Sequence, residues 1–225
     1  MIKFNIISIF PEAFESYFNS SLIKKAQAKG LIKINLVNLR DFANDKHKKV
    51  DDKPFGGGPG MVVKIEPVYQ AVKKYPKAHS ILFSVKGKRF DQKIAEKLAK
   101  LKEITLICGH YEGVDERVAK YVADEEISFG DFVLSGGELA AMLTVDAIAR
   151  LIPGFMSKAE SIETKRMKSV NWGNEKDELP SYPAYTRPEI FHPNAKNKKI
   201  SWKVPEVLLS GHHEKIEKWR LKNKK

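Results

Sequence analysis

The sequence predicts an α/β domain built on a mostly parallel sheet, followed by a small, mostly helical, basic C-terminal part. Three observations carry that expectation. Apolar runs of strand length alternate with segments of helical periodicity. Glycine-bearing turns close the expected strands, and after Leu151 the chain becomes polar and basic.

The first strand is KFNIISIF, whose apolar residues match a buried strand. PEAFESYFNSSLIKKAQAKG has helical character and ends at Gly30, and LIKINLVNL alternates strictly, as a half-buried strand does. A polar loop, NDKHKKVDDKP, then leads into the glycine cluster FGGGPGM at Phe55. IEPVYQAVKKY returns to helical spacing and SILFSV is a short buried strand. FDQKIAEKLAKL sets Ile94, Leu98 and Leu101 at helical intervals before the apolar run EITLIC. After EEISFGDFVL, the segment ELAAMLTVDAIARLI is apolar nearly all round, which predicts a buried helix, and Pro153 and Gly154 stop it. The patternless stretch that follows predicts a boundary: an α/β domain over 1–156, a linker over 157–180 and a C-terminal domain over 181–225.

A chain of 225 residues suits one full core with an appendage. No stretch reaches the roughly 18 to 20 consecutive apolar residues of a membrane span, and the N-terminus lacks the pattern of an export signal. The single cysteine, Cys108, cannot close an internal disulfide, so a cytoplasmic location is expected. The formal net charge is +12. From Leu151 onward sixteen Lys or Arg face nine Asp or Glu. A field of that sign gathers polyanions, so nucleic acid leads the candidate partners, against the plainer reading of a lysine-rich but inert surface.

Glycine recurs where a ligand would sit, yet the phosphate-binding patterns fail. Met61 follows Gly60 where a P-loop needs lysine, and Met61 also occupies the third glycine position of a dinucleotide fingerprint counted from Gly56. What remains is a loop with little side-chain bulk. In LSGGELAAM, Ser135 and Glu138 have the spacing of a capping box. CGHYEGVDER and FGDFVL add two more glycine turns, and together the three suggest one pocket at the carboxyl edge of the sheet, without a polyphosphate. Asp146 and Arg150 share a helix face at i, i+4, as a surface ion pair or as an arginine aimed at a site. The six histidines lack zinc spacing, and Cys108 reads as a small buried hydrophobe.

Taken in order, VDDKPFGGGPGM, ICGHYEGVDER, ISFGDFVLSGGELAAM, ARLIPG, YPAYTRPE and VPEVLLSGHHEKIEKWR resemble the bacterial tRNA (guanine-N1)-methyltransferase family over nearly the whole chain. The resemblance implies a SPOUT-type α/β sheet with a deep trefoil knot, which periodicity cannot reveal. It also implies methylation of N1 of guanosine 37 in tRNA, beside the anticodon, from S-adenosylmethionine; the family further implicates magnesium. By the same analogy Gly109, Tyr111, Glu112, Phe129, Gly130, Asp131, Phe132, Val133, Leu134, Gly136 and Gly137 surround the cofactor. Asp51, Asp52, Gly57, Gly58 and Pro59 receive the target guanine and its neighbours. Family members are homodimers whose site is built across two subunits.

The reaction needs a base for the N1 proton and a cation for the charge that grows on O6. Arg150 is the family's cation. The family's base is an aspartate in Ser-x-Glu-x-Asp-Ser-Phe, where this chain reads SIETKRM, with Lys165 at the aspartate position. Protonated lysine has the wrong charge, so Glu163, Glu175 or Asp177 is expected to substitute. Two other readings stand beside this one: an RNA-binding homologue that lost catalysis, and a methyltransferase of another RNA position. Smaller departures are His110 for the usual arginine and Val85 for the usual proline.

Overall fold

The computed structural model describes residues 1–156, 182–193 and 200–223. The chain divides into two compact units, Met1–Ile162 and Glu163–Lys225. The expected linker over 157–180 lies outside the described residues, together with Glu163, Lys165, Glu175 and Asp177.

The first unit is built on five strands: β1 (Ile2–Ser8), β2 (Ile32–Asn38), β5 (His79–Arg89), β6 (Glu103–Ile107) and β7 (Glu125–Ser128). They form one sheet in the order β2-β1-β6-β5-β7, parallel at every pairing. A parallel sheet needs both faces covered, which is why β1 and β6 read as nearly unbroken apolar runs. On one face Phe4, Ile6, Ile104 and Leu106 pack with Phe14, Ile94, Leu98, Val145 and Ile148. On the other, Ile7, Val37 and Ile107 pack with Leu39, Val68 and Val118. Each such fully buried side chain contributes about 1.5–3 kcal/mol from leaving water.

The long helix expected after β1 is divided. A 3-10 turn (Pro11–Phe14) runs into α1 (Glu15–Phe18), and α2 (Ser21–Ala28) starts after a break. Polar side chains cause the break: the Ser20 hydroxyl donates to the Tyr17 carbonyl at 2.9 Å, and Ser21 takes a positive φ of 46°. Beyond the sheet's first strands, β3 (Asp51–Asp52) and β4 (Val62–Val63) form an antiparallel pair flanking the glycine cluster. α3 (Ile65–Lys73) and α4 (Gln92–Leu98) match their sequence patterns, and the Asp91 carboxylate caps α4 by accepting from the Ile94 amide at 2.8 Å. α5 (Glu116–Tyr121) has no counterpart in the sequence reading, being only six residues long.

β5 is longer than SILFSV suggests and irregular. Phe83 and Lys88 both pair with Ile127 of β7, so residues 84–87 leave the ladder and return to it. Gly87 makes the return possible: a Cβ there would lie 2.5 Å from the Ile127 amide nitrogen. α6 (Glu138–Ala149) packs Ala141, Val145 and Ile148 into the core. In the second unit, β8 (Ile190–Phe191) pairs antiparallel with β9 (Trp202–Lys203), and two helices follow at Glu206–Leu209 and His213–Lys222.

Candidate active site

A cavity of about 270 Å³ opens at the carboxyl ends of β5, β6 and β7, the edge where open α/β sheets hold ligands. Three segments wall it: Leu82 to Lys86 from the β5 excursion, Gly109 to Val114 after β6 and, after β7, Phe129 to Gly137 without Asp131. The second and third are joined, because the Gly137 amide donates to the Gly109 carbonyl at 2.9 Å and His110 bridges Gly136. Gly137 also lies against the main chain of Cys108, where a Cβ would come within 2.7 Å of the Cys108 Cα.

Glu138 departs from the capping box expected of it. The N-cap of α6 is Gly137, with no side-chain cap. The Glu138 carboxylate is instead drawn inward by partners distant in sequence. Its Oε1 accepts from the Ser8 hydroxyl at 2.5 Å and its Oε2 stands 3.1 Å from His110 Nε2. Ser8 in turn accepts from the Phe10 amide at 2.8 Å. A buried carboxylate held by two partners outcompetes a solvent-exposed cap. The pair fills the space beside Gly136, whose added Cβ would meet His110 Nε2 at 2.2 Å and Glu138 Oε2 at 2.4 Å.

Of the eleven residues expected around the cofactor, ten line this cavity. Asp131 does not. Its side chain is 97% exposed, 3.9 Å from Arg89, because the Phe132 ring folds back over Gly130 and turns the intervening residue outward. Sequence reasoning missed Lys86, Glu116 and Glu126, which also line the wall. Lys86 Nζ donates to Glu116 Oε2 at 2.9 Å, and that bond with the Glu116 charge holds the lysine pKa above its ordinary value. The one signal for this wall was Val85, at the position where the family usually has proline, next to Lys86.

The glycine cluster is fixed to the same wall. The Glu112 amide donates to the Met61 carbonyl, the Val63 amide to the Gly113 carbonyl and the Asp115 amide to the Val63 carbonyl, each at 3.0 Å. Gly60 faces Glu112, whose Cγ would lie 2.4 Å from an added Cβ. Asp51, Asp52, Gly57, Gly58 and Pro59 therefore stand beside the cavity without lining it. Asp52 lies 3.7 Å from Lys64, and Phe55 is wholly exposed.

Arg150 sits at the other end of α6, as its C-cap. Burial, the charge of Asp146 and a hydrogen bond to Asp146 raise the Tyr17 phenol above its ordinary pKa, and the Arg150 charge partly offsets them. Asp146 thus serves Tyr17, which the i, i+4 reading did not include. Thirteen residues of helical rise separate Gly137 from Arg150, about 20 Å. Burial pushes the Cys108 thiol well above its ordinary pKa, with the Glu138 charge adding to it, so it is no thiolate nucleophile. Among the described residues no helix is long and apolar enough to cross a membrane.

The family model for tRNA (Guanine-1)-methyltransferase TrmD matches residues 2–225. A tRNA (guanine-N(1)-)-methyltransferase of Carboxydothermus hydrogenoformans is 48% identical over 223 residues, 98% of this chain and 82% of its own. That of Clostridioides difficile is 45% identical over 225 residues, 97% and 90% respectively. The crystal structure of tRNA (m1G37) methyltransferase from Aquifex aeolicus superposes with a TM-score of 0.75 at 39% identity, covering 98% of this chain and 88% of that one. With its parallel sheet, its glycine-walled cavity and these relatives, the chain belongs to the tRNA (guanine-1)-methyltransferase family.

Proposed function

We propose that this enzyme methylates N1 of guanosine 37 in tRNA with S-adenosylmethionine, working in the cytoplasm as a homodimer. The observation that carries the reading is the cavity itself: bulk-free main-chain turns, with the glycine loop hydrogen-bonded to their wall. The donor set suits the cofactor. Glu112, Glu116 and Glu126 line the cavity, and carboxylates suit a ligand that carries sulfonium and ammonium charge. Gly109, Gly136 and Gly137 let the walls of the cavity close tightly on one another, which keeps main-chain groups rather than side chains at its surface. Bound there, the cofactor supplies an activated methyl group. The β5 excursion around β7 at Gly87 supports the knotted wall that the family resemblance implies.

The remaining chemistry falls to this chain's own residues. A carboxylate takes the N1 proton, and the candidates Glu163, Glu175 and Asp177 lie outside the described residues. Arg150 balances the charge that develops on O6. Its place about 20 Å from Gly137 along α6 puts it beyond reach of its own cavity, so the Arg150 that serves a cavity belongs to a second copy. The apolar side chains exposed beside that cavity fit such an arrangement: Val133 is 85% exposed, Leu139 57% and Leu143 53%. The basic C-terminal unit holds the anticodon arm, mainly through phosphates.

Transfer of labelled methyl from S-adenosylmethionine to unmodified tRNA carrying guanosine at 36 and 37, with the product nucleoside mapped, tests the reading. No label in tRNA would sink it. Arg150→Ala should lower turnover about a hundred- to a thousandfold with cofactor affinity unchanged. Mixed dimers of Arg150→Ala and a cavity variant should recover activity, because one intact composite site remains. Adding EDTA to the same assay tests magnesium. The RNA-binding reading without catalysis rests on Lys165 alone, and the relatives named as enzymes do not favour it.

A further inference from the structure

The second unit carries an aromatic pair that its own packing leaves open. Phe191 and Trp202 are direct partners across β8 and β9, so both side chains rise from one face of the two-stranded ribbon. Their ring centroids are 5.6 Å apart at 41°, and they are 48% and 63% exposed. Among the described residues the other Tyr and Trp rings of this unit have local uses: Tyr185 meets Trp219 edge-on at 6.2 Å, and Arg220 covers the Tyr182 ring at 4.7 Å.

We infer that Phe191 and Trp202 form a stacking platform for an unpaired base of the bound tRNA. This rests on tRNA being the substrate. Two observations favour RNA over a protein partner. The unit that carries the platform is basic: residues 163–225 hold fifteen Lys or Arg against eight Asp or Glu, and Lys203 follows Trp202 in β9. Two rings also offer at most about 500 Å², below the roughly 1,000 Å² that a stable protein interface requires. A base needs only a flat apolar surface on a unit whose charge attracts the RNA backbone, and unpaired RNA bases are bound in this way.

Phe191→Ala and Trp202→Ala should each raise the Kd for the unmodified tRNA about tenfold. Neither should change the salt dependence of binding, since neither removes a charge, whereas Lys203→Ala should lower the salt slope by about one. Trp202→Phe keeps a ring and should bind like wild type; Trp202→Leu keeps only bulk and should not. Cofactor affinity, and turnover at saturating tRNA, should stay within about twofold for all of them. In a chain where Trp172 and Trp219 are replaced by phenylalanine, tRNA should quench the Trp202 fluorescence, which tests the contact without disturbing the ribbon. Unaltered tRNA affinity in both alanine variants overturns the proposal, as does equal rescue by leucine and phenylalanine. Loss of dimer in sedimentation with tRNA affinity intact would give the pair to a second copy instead. A wild-type chain that neither binds nor methylates tRNA would reject the function above; a wild type that does both, with these variants unaltered, rejects the platform alone.

Discussion

In the loop at 56–60 glycine is demanded largely by the main chain, whereas at 136–137 it is demanded by neighbours. Gly56 and Gly57 have φ of 84° and 81°, and nothing lies within 4 Å of a Cβ built on either. Gly136 and Gly137 have no positive φ, yet a Cβ on either would stand well inside van der Waals distance of His110, Glu138 or Cys108. One loop spends its freedom on shape and keeps open space on its outer side; the other spends it on closeness. The open loop suits an incoming base, and the closed turn suits a wall that must not move. Both are read as GG in a sequence, but they should fail differently.

Among the glycine substitutions the largest effect is expected from Gly137→Ala. The obstacle is the Cys108 main chain, which cannot step aside. Overpacking of this kind costs about 1–3 kcal/mol, or roughly 2–12 °C of thermal midpoint in a domain of this size. Cofactor affinity measured by calorimetry should fall about a hundredfold, about 2.7 kcal/mol at the wall. Gly57→Ala comes next. Its penalty is backbone strain of about 1 kcal/mol, with no collision, so kcat/KM for tRNA should drop about tenfold while cofactor affinity holds. Equal loss of cofactor binding in both variants would break the distinction. Gly30→Ala sharpens it with the smallest effect on activity: φ is 65° with nothing within 4 Å, at a helix end remote from the cavity. It should cost about 1 kcal/mol of stability and leave methyl transfer at the wild-type rate.

What the sequence could show follows from what is local. The parallel sheet is legible because its central strands bury both faces, and α6 because it is apolar all round. The cavity is partly legible because glycine turns at strand ends are punctuation that any backbone must obey. Glu138 was misread for the opposite reason: a capping rule looks three residues away, while its partners Ser8 and His110 are 130 and 28 residues distant. The doubling back of β5 leaves no periodic trace, so the departure at Val85 pointed to this stretch without showing that Lys86 and its partner Glu116 line the wall. Asp131 shows the limit of residue-by-residue analogy, since a ring folding over Gly130 decides where its neighbour points.

α6 has a consequence beyond burial. Its twelve residues act as a spacer bar between the cavity at one end and Arg150 at the other. Adding or removing one residue anywhere along it would rotate Arg150 by about 100° and shift it by about 1.5 Å. Substitutions that merely repack its core face would leave both settings untouched. The helix is therefore constrained in length as well as in its buried side chains, a gauge whose two ends can be changed only together.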